Sequence, residues 1–186
     1  MKHEHRATKL AELRVADGDA PTISGYAAVY DSPTDIGGFR EVVMPGAFDA
    51  SLARNDDVRA LVGHDPDKIL GRNKAGTLEM RSDERGLAVT ISPPDTQVGR
   101  DVVESIKRGD LDGMSFGFMV DAEEWRDAGD LRELHAVSLF DVSVVTYPAY
   151  QDTTVATRSR DTWRQHQHGV TLARARVDLG RLWQLR

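Results

Sequence analysis

Residues 113–146 read GMSFGFMVDAEEWRDAGDLRELHAVSLFDVSVVT. Two apolar runs dominate the stretch. Met114 to Val120 and Leu131 to Thr146 are rich in Val, Phe and Leu and predict β structure, which Pro148 then breaks. Working backward, Leu87 to Ile91 and Thr77 to Arg81 are strand-like and joined by a polar turn ending in Gly86, and Val58 to Val62 is a further short strand. Thr8 to Val15 and Thr22 to Tyr30 flank Asp17-Gly18-Asp19, turn chemistry that predicts an opening hairpin. Two helices interrupt the strands. PPDTQVGRDVVESIKRG (93–109) has Asp95 or Thr96 as cap, Val98, Val102 and Ile106 at four-residue spacing, and Gly109 to close it. PGAFDASLAR (45–54) places Pro45 at a first helical turn, with Ala47, Phe48 and Leu52 toward a core. The count predicts an α+β fold that is mainly β, a barrel-like or curved sheet with surrounding helices.

The chain has 186 residues, 40% apolar and 29% charged, enough for one domain with a real core and a tail. The absence of cysteine excludes disulfide scaffolds, thiolate zinc sites and cysteine nucleophiles. MKHEHRATKLAELR carries charges where a signal peptide needs an apolar run, and no stretch approaches a membrane span, so a soluble protein that stays in the cell making it is expected. Charge is uneven. Residues 158–186 carry seven arginines against two aspartates, a net +5, which leaves −11 on residues 1–157 of a total of −6. This divides the chain into an acidic body, 1–157, and a basic segment, 158–186, for which Leu172, Ala175, Leu179 and Leu182 or Trp183 predict a helix from Val170. An acidic body argues against nucleic-acid binding.

Ten serines supply the candidate nucleophiles. Ser115 stands out because Gly113 and Gly117 flank it within an apolar strand; small neighbours let a substrate backbone approach, so its hydroxyl is either a packed polar group or a nucleophile. A serine needs a base. Of six histidines, His3 and His5 lie in an arm and His166 and His168 in the basic segment, leaving His64 and His135. His64 follows the run Val58 to Val62 into a loop, where it is either bonded to Asp65 or presented for catalysis. Asp141, a charge in LFDVSVV, needs compensation from backbone amides, from an arginine such as Arg132, or from a histidine it orients. His135 is its rival, sharing strand parity but about 20 Å away at ~3.3 Å per residue. A metal site is not expected: His64 and Asp65 point apart on extended backbone, and no HExxH completes a ligand set. Phosphate-loop, dinucleotide and GxSxG signatures are absent.

The succession GYAAVYDSPTD, MPGAF, LVGHDPDKILGR, GTLEM, GLAV, GMSFGF and LFDVSVVTYPAY, spread over residues 8–157, resembles the tailed-bacteriophage prohead maturation proteases. The resemblance implies a serine endopeptidase related in fold to the herpesvirus assemblins, a β-barrel surrounded by helices. It further implies cleavage of scaffold or major capsid protein precursors without a cofactor, in the host bacterial cytoplasm and inside the immature capsid. Residue by residue, the family histidine falls on His64, the nucleophile on Ser115 and the third member on Asp141, where many relatives are expected to carry Glu. His135 remains the alternative, because the herpesvirus enzymes use a second histidine. The basic segment 158–186 is then expected to dock on an acidic capsid or scaffold precursor, or to be removed by autocleavage. A homo-oligomer is left open, and no membrane or specific nucleic acid is expected as partner. The competing reading is a catalytically silent assembly or scaffolding component of a prophage capsid module.

Overall fold

The computed structural model describes residues 3–8, 11–16, 18, 20–146 and 159–165, so the helix predicted from Val170 lies outside the described residues. In chain order the elements are β1 (Glu4–Thr8), β2 (Arg14–Ala16), β3 (Thr22–Val29), β4 (Thr34–Asp35), β5 (Arg40–Val43), α1 (Asp49–Arg54), β6 (Arg59–Val62), β7 (Asp65–Arg72), β8 (Leu78–Ser82), β9 (Gly86–Ile91), α2 (Gln97–Arg108), β10 (Gly113–Arg126) and β11 (Leu131–Val145). Residues 159–165 are also helical.

The apolar runs of the opening stretch become β10 and β11, two long antiparallel strands with Ser115 opposite Ser143 and Gly117 opposite Asp141. β1 pairs antiparallel with the free edge of β10. The other edge of β11 is shared: β5 lies parallel to its first half and β6 parallel to its second, with β4 and β7 outside them. A second sheet runs β2-β3-β9-β8. The described strands therefore form two sheets with free edges: the mainly β fold with few helices expected from the sequence is present, while the closed barrel that the resemblance implied is not found among the described residues. The hairpin predicted near Asp17 is present as β2 and β3, but the run from Thr8 is not one strand with β2: β1 ends at Thr8 and joins the other sheet.

Along β10, Met114, Phe116 and Phe118 enter the core with Val142 and Val144 of β11, Ile23, Phe48 and Leu70. Strand alternation turns Ser115 and Gly117 to the opposite face, together with Asp141 and Ser143. A bulge between Gly117 and Phe118, opposite Phe140, resets this phase, so Leu139 and Val142, three residues apart, both reach the core. A second irregularity leaves His135 unpaired, so that Leu134 and Val137 also both reach the core; the two resets cancel, and what separates His135 from Asp141 is distance along the strand, about 20 Å at ~3.3 Å per residue.

α2 follows most of the predicted signals: Thr96 accepts a hydrogen bond from the Gly99 amide, Val102 and Ile106 are buried and Gly109 closes the helix at φ 80°, although Val98 is only half-buried and Val103 is buried in its place. α1 begins at Asp49, later than Pro45 suggested.

Candidate active site

The site lies where β1, β10, β11 and the β6–β7 turn meet. Ser115 comes from β10 and Asp141 from β11. His64 is delivered by a two-residue turn in which Gly63 and His64 both have φ 61°, the left-handed conformation that a tight right-twisted hairpin requires. Glycine adopts it freely, whereas a histidine there is held at a cost of about 1–2 kcal/mol. The turn is pinned on β11: the Gly63 amide donates to the Val144 carbonyl at 2.9 Å and the His64 amide to Ser143 Oγ at 3.1 Å.

These constraints bring the three side chains into one chain of hydrogen bonds. His64 Nε2 is 2.6 Å from Ser115 Oγ, and His64 Nδ1 is 2.6 Å from Asp141 Oδ1. With Asp141 ionised, Nδ1 carries the proton and donates to the carboxylate, which leaves Nε2 as acceptor toward the serine. Ser115 Oγ has one hydrogen and a second acceptor in reach, the Arg6 carbonyl at 2.9 Å. The hydrogen points to Nε2 when His64 is neutral. When His64 is an imidazolium, Nε2–H donates to Oγ and the hydroxyl hydrogen turns to the Arg6 carbonyl, so the serine is satisfied in both protonation states.

Ser143 Oγ donates to Asp141 Oδ1 at 2.9 Å. The His5 Nε2 lies 3.6 Å from the other carboxylate oxygen, an ion-pair separation beyond hydrogen-bond length. Burial alone would raise the Asp141 pKa; the His5 and His64 imidazoles and the Ser143 hydroxyl outweigh it and hold the carboxyl down at about 2. Gly117, opposite Asp141, is the close-approach position: a Cβ there would collide with the Asp141 carboxylate, the Phe140 ring and the His5 ring. A cleft of about 250 Å³ opens beside Ser115, walled by the apolar side chains of Ala7, Val62, Leu111, Val144 and Val145.

Several sequence alternatives find other partners. Asp65 binds Lys68 at 3.0 Å and the Asp67 amide, not His64. Arg132 binds Glu4, Glu41 and Glu123, not Asp141. His135 is exposed and pairs with Glu133 at 3.1 Å, away from Ser115 and His64. His5, set aside as part of an arm, lies in the site, because β1 is a seated strand. Ser143 was also missed, although an Asp-x-Ser spacing on a strand puts both side chains on one face. His5, His64 and Asp141 offer donor atoms within reach of one ion. The two imidazoles are tilted over each other, with centroids 4.0 Å apart and planes 31° from parallel, and His64 Nδ1 is already bonded to Asp141 at 2.6 Å.

Residues 8–168 match the family described as caudovirus prohead serine protease. The chain belongs to this family. It is a serine peptidase of the prohead class. Among solved structures, the bacteriophage T4 capsid assembly protease gp21 superposes with a TM-score of 0.52 at 10% identity, covering 80% of this chain and 100% of that one, which shows a shared fold. No curated protein sequence matches. In this prohead protease the family match begins at the last residue of β1 and so leaves His5 and Arg6 outside it.

Proposed function

We propose that Ser115, His64 and Asp141 form the catalytic triad of this peptidase, and that its substrates are scaffold or major capsid protein precursors inside the prohead in the bacterial cytoplasm. The observation that carries the triad is the pair of 2.6 Å hydrogen bonds linking Ser115 through His64 to Asp141. Ser115 Oγ attacks the scissile carbonyl carbon as its proton passes to His64 Nε2. Asp141 accepts from Nδ1–H, keeping the tautomer and stabilising the imidazolium. Collapse of the tetrahedral intermediate breaks the C–N bond, and Nε2–H protonates the departing amine. Water then attacks the acyl-serine, giving its proton to Nε2, which returns it to Ser115 Oγ as the acid leaves. The apolar walls beside Ser115 favour an uncharged side chain at the residue donating the carbonyl. The C-terminal segment, 158–186, is a candidate for autocleavage or for docking on a precursor, supported by its net charge of +5. A catalytically silent scaffolding role has no observation in its favour.

The test is co-expression with the capsid precursor and intact-mass analysis. Wild type and His135→Ala should both give defined truncations that Ser115→Ala lacks. Identical full-length masses in assembled proheads for wild type and Ser115→Ala would refute the assignment.

A further inference from the structure

The triad accounts for one oxygen of the Asp141 carboxylate; the other, Oδ2, faces His5. We propose that His5 is a positioning residue of the active site, its Nε2 set against the second Asp141 oxygen as an electrostatic contact at 3.6 Å and its ring covering the face of His64, so that the triad is complete only with β1 seated. The inference rests on the triad reading and extends it to a strand almost wholly outside the family match.

Three observations carry it. First, Oδ1 takes bonds from both His64 and Ser143, at 2.6 and 2.9 Å, whereas Oδ2 meets His5 Nε2 at 3.6 Å. A carboxylate tethered through one oxygen can swing, and catalytic groups need orientation to within about 10–20°. Second, the His5 ring lies 4.0 Å from the His64 ring, centroid to centroid, and shields that face from water. Phe140 also meets the His5 ring in an edge contact, centroids 5.9 Å apart. Third, the space for this assembly exists only because Gly117 has no side chain, since a Cβ there would strike Asp141, Phe140 and His5 together.

The placement of His5 is itself enforced. On β1, Glu4 and Arg6 point to one face and His5 and Ala7 to the other. Arg6 binds Glu41 at 2.6 Å and Glu4 at 2.6 Å, and Arg132 binds Glu4 and Glu41 at 2.9 and 2.8 Å, all four being buried. A one-residue slip of β1 would leave these charges unpaired and turn His5 away from Asp141, so the ion cluster locks the register that builds the site.

The experiment follows reaction of Ser115 with a small alkyl fluorophosphonate, by intact mass, in the full chain and its His5→Ala, His5→Leu and His5→Gln variants. Glutamine presents an amide N–H near the position of Nε2 but does not titrate, while leucine fills the space without a donor. Labelling should slow roughly tenfold or more in His5→Ala and His5→Leu and recover to within a few-fold of wild type in His5→Gln, the scale expected when an orienting partner is lost. On a cleaved peptide the loss should fall in kcat with KM unchanged. Leucine reacting like wild type, or glutamine as slowly as alanine with unchanged thermal unfolding, overturns the polar positioning role. Failure of wild type to label at Ser115 is a different result: it removes the triad, and His5 with it.

Discussion

Replacing Gly117 by alanine places a methyl group where the Asp141 carboxylate lies, with the Phe140 and His5 rings also in its way. β10 cannot retreat, because Phe116 and Phe118 on its other face are locked in the core. The carboxylate must therefore move, and with it the proton of His64 Nδ1. Gly117→Ala is expected to lower the rate of Ser115 labelling by about a hundredfold or more, approaching loss of the orienting carboxylate, while substrate binding changes little. Labelling kinetics against peptide KM measures this directly. The glycine was legible in GMSFGF as a place of close approach, but sequence alone assigned the approach to substrate. The neighbour is a side chain of the protein, and only the pairing of Gly117 with Asp141 across two strands reveals it.

The same limit recurs among the elements. Ser115, His64 and Asp141 each stood out in their own strand or loop, because a polar group in an apolar setting is conspicuous one residue at a time. The longest strands and α2 were legible for the same local reason. β1 was not, since Glu4, His5 and Arg6 look like a solvated arm and become strand-like only through charges 35 to 128 residues away. The bulges at Phe140 and His135 were not legible either, because a bulge is a property of two strands, and it is distance along β11 that keeps His135 out of the site. Arg132 is the residue on which the cluster depends. It is 1% exposed, and although burial alone would lower its pKa, the neighbouring Glu4, Glu41 and Glu123 raise it above the ordinary arginine value. Arg132→Met leaves Glu4 and Glu41 buried with Arg6 alone, and is expected to cost about 3–5 kcal/mol in urea unfolding. Amides of β1 should exchange faster in the same variant, and Ser115 labelling should fall under conditions where the core remains folded. A loss below about 1 kcal/mol would mean that β1 is held by its ladder and not by charge.

For the molecule as a whole, the site makes acid a threat to the fold as well as to catalysis. Asp141 has a pKa of about 2 against an ordinary value of 3.8, because the imidazole and hydroxyl partners outweigh burial. A depressed carboxyl pKa means that the unfolded chain binds the proton more readily. The resulting stabilisation, on the order of 2 kcal/mol, is fully present above about pH 4 and is lost as pH falls toward 2. Glu4, with burial opposed by Arg132 and Arg6, is lowered as well and adds to the same acid limb. Asp141→Asn cannot titrate. Its stability at pH 6 should therefore lie below that of wild type, and the gap should narrow as pH drops from 4 to 2, since wild type forfeits a contribution that the variant never had. Urea midpoints at pH 6, 4, 3 and 2.5 would trace the convergence. Parallel curves would show that Asp141 has the same proton affinity folded and unfolded, and the hydrogen-bond chain through His64 would then lack the charge that gives the proposed triad its direction.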